Sequence, residues 1–150
     1  MILNDVLFRQ NVFTKIILKD GEKELSKELK VKIMRIRMLY NKIKNNFEAD
    51  VNDFMSEIVP EELKILTSKK SKTQDEEVRI SELSTKVNSE YYEFVTQKGF
   101  EKVEISDDYL TISDYEEIVE VNAGNNVEIN GNTVSAPDFL ELVYDLFVKE

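Results

Sequence analysis

Ten apolar residues mark out helical turns through the middle of this chain. Leu25, Leu29, Ile33, Ile36, Tyr40, Ile43, Phe47, Val51, Phe54 and Ile58 follow one another at steps of three or four. The mean step is about 3.7 residues, close to the helical period, so they share one face. No Gly or Pro interrupts the run before Pro60. The pattern predicts one helix from about Glu22 to Val59, roughly 50 Å long at about 1.5 Å per residue. A rod of that length outruns a small domain. Its stripe needs cover from a second long helix or from another subunit.

The flanking segments supply one such helix. Asn4 is placed to cap a first helix to about Leu18, with Leu7, Phe8, Val12, Ile16 and Ile17 at helical spacings. Asp20-Gly21 closes it, Gly21 taking the left-handed conformation of a helix end. Pro60-Glu61-Glu62 starts a short helix to about Leu66, and Thr67 to Thr73 is a polar, Lys-rich turn. A third long helix is predicted from Gln74 to Thr96, with Asp75, Glu76 and Glu77 at its dipole-favoured end. Ile80, Leu83, Val87, Tyr91 and Phe94 form its stripe. Folded back antiparallel, it covers the long helix.

From Phe100 the periodicity changes. Phe100–Ile105 and Tyr109–Ile112 alternate as strands do, around a turn at Asp107-Asp108, and Tyr115–Val121 suits a strand or a short helix. Val127 to Val134 alternates about Asn130-Gly131, the preferred two-residue hairpin turn. Ser135 caps a closing helix with Pro137 in its first turn, apolar on a broad face from Phe139 to Phe147. The fold class expected is α+β, mainly α: a long antiparallel helical hairpin, a small antiparallel β-meander or hairpin, and a C-terminal helix. Residues 1–99 form the hairpin region and 100–150 the meander and closing helix, in one integrated domain.

Charge is distributed unevenly. Residues 1–50 hold eleven Lys/Arg against seven Asp/Glu, and residues 101–150 hold two against thirteen. Lys30, Lys32, Arg35 and Arg37 crowd the first half of the long helix, and Asp107, Asp108, Asp114, Glu116 and Glu117 lie in the acidic third. Two readings stay open. The charges are a solvated surface, or the acidic end of one copy meets the basic face of the next. Met34 and Met38 lie one turn apart, just off the main stripe. They pack against another helix of the chain, or they belong to a subunit interface. These eleven residues are the candidate interface.

Catalytic chemistry finds little support. The chain contains neither His nor Cys, which removes the commonest general base, thiolate ligands and disulfides. Its four glycines are isolated, so there is no phosphate-cradling loop. Carboxylate runs arise freely among thirty Asp/Glu, and Asp107, Asp108 and Asp114 lack the spacing of a calcium loop. No cofactor is expected. Net charge of −10 and few aromatics on the basic face disfavour direct nucleic-acid binding. No apolar run reaches the length of a membrane span, and the first residues lack a signal peptide's basic start.

Two stretches carry a resemblance: Leu29-Lys30-Val31-Lys32-Ile33-Met34-Arg35-Ile36-Arg37-Met38-Leu39-Tyr40-Asn41-Lys42-Ile43, and Val134-Ser135-Ala136-Pro137-Asp138-Phe139-Leu140-Glu141-Leu142. With the layout around them, they resemble small structural and assembly proteins of tailed bacteriophages. The likeness covers most of the chain in layout. It implies a non-enzymatic virion protein, made in the host cytoplasm and built into the particle. It would be a ring or adaptor subunit at the portal–tail neck, with portal, ring or tail proteins and its own copies as partners. A tail assembly chaperone, or an acidic regulator of the DNA-mimic type, is the alternative.

Overall fold

A computed structural model describes residues 1–105, 110–129 and 131–144, with the backbone alone at 129. Among these, the chain forms six helices and two antiparallel strand pairs. They are α1 (Leu3–Lys15), β1 (Lys19–Asp20), β2 (Lys23–Glu24), α2 (Lys27–Ile58), α3 (Glu61–Ser68), α4 (Gln74–Gly99), α5 (Ile112–Asn122), β3 (Asn126–Ile129), β4 (Asn132–Ser135) and α6 (Ala136–Leu142). The mainly helical class with small β elements, built on a long helix, is as expected.

The 32 residues of α2 serve two bodies in turn. Its first half lies in a head, where Leu29, Ile33, Ile36 and Tyr40 are buried with Val6, Val12 and Phe13 of α1 and with Ile16 just after it. Leu110, Ile118, Val121, Phe139, Leu140 and Val143 close that core from the far end of the sequence. Its second half forms an arm with α3 and α4. Phe54 stacks on Phe94 (ring centroids 4.1 Å apart), and Lys98 reaches Asp50 at 3.6 Å. Both pairings run antiparallel. Near the tip, Leu63, Leu83 and Val87 make a small second core, and the Arg79 guanidinium binds Glu62 across two hydrogen bonds of 2.9 and 3.0 Å. The predicted helical hairpin is therefore α2 against α4, with α3 wedged at the tip.

Several boundaries differ from expectation. The long helix starts at Lys27, not Glu22, because Ser26 caps it: its Oγ accepts from the Leu29 amide. Residues 19–24 form a small hairpin instead, with Lys19 opposite Glu24 and Asp20 opposite Lys23. Gly21 is left-handed (φ 62°), but in this hairpin's turn and not at the end of α1. Helix α1 stops at Lys15, short of Leu18. It also starts without Asn4 as its cap, since Ile2 holds that position. The start is held by backbone pairing instead: the Leu3 amide donates to the Glu101 carbonyl, and the Val103 amide to that of Met1, both at 2.9 Å. Asn4 lies against Gly99, where a Cβ would collide with its side-chain amide.

The predicted strand at Phe100–Ile105 is reduced to one antiparallel bridge, Ile2 to Lys102. The ambiguous segment around Tyr115–Val121 is helix α5. Thr111 and Asp114 form a reciprocal capping box that starts it, which overrides the strand preference of its Val and Ile residues. The strands predicted around Asn130-Gly131 do pair, Ile129 with Asn132, and Gly131 takes φ 80°, while Asn130 itself lies outside the described residues. Ser135 caps α6 through the Asp138 amide. The predicted turn at Asp107-Asp108 and the end of the closing helix, including Phe147, lie outside the described residues.

Candidate functional site

Buried polar contacts join the two ends of the sequence. Asn122 is 2% exposed. Its Oδ1 accepts from the Ile17 amide at 2.9 Å, and its Nδ2 donates to the Ile17 and Ile118 carbonyls at 3.2 and 2.8 Å. The Asn122 amide thus satisfies the backbone of Ile17, where α1 has ended and no strand partner is present. This clasp fixes α5 against α1 and so orients its outer face.

Several charged residues predicted at the interface work inside the chain. Arg37 reaches across to the end of α1: its Nε donates to the Phe13 carbonyl at 2.6 Å and its Nη2 to that of Ile16 at 2.5 Å. Burial lowers the Arg37 pKa from its ordinary value. Lys32 binds Asp114 at 2.6 Å, between α2 and the first turn of α5. Burial of Asp114 opposes its charge, but hydrogen bonds from Lys32 and from the amide and hydroxyl of Thr111 outweigh that and lower its pKa. Glu117 accepts from the Ser26 amide and contacts its hydroxyl, and Lys30 pairs with Glu24. The basic helix and the acidic third therefore meet within one copy through Lys32 and Asp114. Asp107 and Asp108 lie outside the described residues.

Arg35, Met34 and Met38 point elsewhere. At about 100° per residue, Val31, Met34 and Met38 lie roughly 160° around α2 from its buried stripe. They are 42%, 52% and 71% exposed, so no other part of the described chain covers them. Exposed Lys27, Arg35 and Lys42 share or border this face and form no ion pair among the described residues. The result is an apolar ridge about 10 Å long flanked by cations.

A groove of about 640 Å³ lies between α5 and α6. Half-buried Tyr115, Val119, Pro137 and Tyr144 line it, the two Tyr rings edge-to-face at 4.7 Å. Exposed Glu116, Glu120, Asp138 and Glu141 complete the lining, and no described cation joins them. Burial, then the Glu141 carboxylate and Tyr144, raise the pKa of the Tyr115 phenol, which keeps it neutral. An apolar floor with a four-carboxylate rim suits a ligand that is apolar at its centre and cationic at its edges. Of the predicted residues, only Glu116 lines this groove.

Sequence reasoning missed Val31 on the ridge, and Tyr115, Val119, Glu120, Asp138, Glu141 and Tyr144 in the groove. The ridge had a signal: Lys27, Val31, Met34, Met38 and Lys42 step by 4, 3, 4 and 4, a second helical stripe. The groove had none, because it exists only once α5 and α6 are packed together.

Among the described residues, no three acidic side chains converge as a metal site would need, and no helix is long and apolar enough to cross a membrane. Comparison with known protein families, with curated proteins and with solved structures finds no match to this chain.

Proposed function

We propose that this chain is a non-enzymatic assembly protein that acts through protein–protein contact, as a ring or adaptor subunit at the neck of a tailed phage does. The observation that carries the reading is the exposed stripe of Val31, Met34 and Met38 on α2. Isolated apolar residues are ordinary on a protein surface, but a helical row of them flanked by cations is a docking face. Methionine suits such a face, being flexible and polarizable. The arm supports the same reading. Phe47, Val51 and Phe54 stay half-buried, Phe54 against Phe94 of α4. The virion setting rests on the resemblance of the two quoted stretches to phage assembly proteins.

The test is sedimentation of the wild type and of a Met34→Glu/Met38→Glu variant from micromolar to millimolar concentration. The wild type is expected to associate and the variant to stay monomeric with unchanged helicity. A wild type that stays monomeric throughout, or a variant that associates equally, overturns the reading. The virion setting has a separate test in the protein content of purified particles that carry the gene. A chain absent from them is no virion component.

A further inference from the structure

We infer that the occupant of the α5–α6 groove is the α2 ridge of a second copy of this chain. The inference rests on the assembly reading above and names the two surfaces that meet. Three observations carry it.

The first is chemical match. The groove has Tyr115, Val119, Pro137 and Tyr144 at its floor and four carboxylates at its rim. The ridge has Val31, Met34 and Met38 along its crest, with Lys27, Arg35 and Lys42 beside them. Apolar meets apolar, thioether sulfur meets aromatic ring, and three cations meet four anions.

The second is availability. The charges that settle each other within one copy are Lys32 with Asp114 and Lys30 with Glu24, while Arg37 is held by α1 carbonyls. The ridge cations and the rim carboxylates appear in none of the ion pairs among the described residues. The charge left over on each surface is the counterpart of that on the other.

The third is geometry. The ridge faces away from the head core, and α5 lies on the Lys32 flank of α2. The face of α5 that carries Tyr115, Glu116, Val119 and Glu120 is turned from the edge that carries Asp114 and Glu117 toward α2. A ridge therefore cannot enter its own groove. Each copy offers one ridge and one groove, so the contact is head-to-tail. Repetition gives a ring if the rotation closes and a filament if it does not.

The experiment uses two full-length variants. Met34→Glu/Met38→Glu alters the ridge and leaves the groove intact. Val119→Glu alters the groove floor and leaves the ridge intact. Each alone is expected to be monomeric by sedimentation, with self-association weakened roughly tenfold or more. Their equimolar mixture is expected to form a one-to-one dimer and nothing larger, because it contains one intact ridge and one intact groove that can meet. A Glu120→Gln/Glu141→Gln variant, which changes exposed side chains only, guards against misfolding. It should associate more weakly than the wild type and with less dependence on salt. If the groove variants associate like the wild type while the ridge variant does not, the inference is overturned and the assembly reading stands. If the mixture stays monomeric, or groove occupancy requires a foreign basic protein, the inference is likewise overturned. A wild type that never associates removes both.

Discussion

Arg37→Met separates an internal strut from an interface residue. The Arg37 guanidinium donates to two carbonyls at the end of α1, Phe13 at 2.6 Å and Ile16 at 2.5 Å. A hydrogen bond from a charged donor contributes about 1.5–3 kcal/mol when well shielded. Arg37 is only half-buried, so roughly 1 kcal/mol for each bond is the fitting value. Favourable placement of a cation at the negative end of α1 adds about 0.5 kcal/mol. Met keeps most of the apolar stem, so the expected loss is about 2–3 kcal/mol. For a chain of this size that lowers the melting temperature by about 5–10 °C. Urea unfolding followed by circular dichroism measures it, with Arg35→Met as the control. Arg35 is exposed and its loss should stay within about 0.5 kcal/mol. Arg37→Lys should recover only part, since a point-like ammonium cannot span two carbonyls as the planar fork does. Equal stability of the Arg37→Met and Arg35→Met variants would refute the reasoning. So would an Arg37→Lys variant as stable as the wild type.

Two more outcomes follow from the head. The Asp114 carboxylate is held below its usual range. A lowered folded-state pKa gives stability that is complete above the unfolded value, near 4, and is lost as pH falls through the folded value. Asp114→Asn is expected to cost about 1 kcal/mol at pH 7 and to flatten the urea midpoint's dependence on pH below about 5; an unchanged acid limb counts against the Lys32 contact. Gly99→Ala drives a methyl into the tip of the exposed Asn4 side chain, which must rotate away, and should cost up to about 1 kcal/mol. Asn4→Ala in the same chain should return most of that in a double-mutant cycle, and strict additivity of the two changes would exclude the collision.

The long helix, its antiparallel partner and the Asn130-Gly131 hairpin were legible because each follows from a short-range rule. Helical period places Leu29 with Ile33, and a two-residue Asn-Gly turn pairs Ile129 with Asn132. Helix α5 was ambiguous for a local reason. Ile118, Val119 and Val121 favour strands by side-chain branching, and the deciding signal was the Thr111 to Asp114 spacing of a capping box. The Asp20-Gly21 pair marks a turn correctly but does not say what it joins. The site was legible only in outline. Spacing shows that Lys32, Arg35 and Arg37 are basic and near one another. It does not show that Lys32 and Arg37 leave the two flanks of α2 toward α5 and α1 while Arg35 lies beside the ridge. The groove depends on residues 116–120 meeting residues 137–141, a tertiary contact that no local pattern encodes.

The Asn122 clasp has a consequence for the order of events at the ribosome. The core residues Val12 and Phe13 of α1 and Ile16 just after it are made among the first twenty, yet part of their cover comes from Leu110 to Val143. Ile17 waits for Asn122 across 105 positions of sequence. At about 5–20 residues per second, that interval lasts roughly 5–20 s. Throughout it, α1 can lean on α2 through Phe13 and Tyr40 but presents its other apolar side to solvent. The arm, sealed by contacts between residues 50 and 98, is finished first. The newborn chain is thus a folded lever with an open head, and a release that comes before residue 143 leaves a sticky, truncated product.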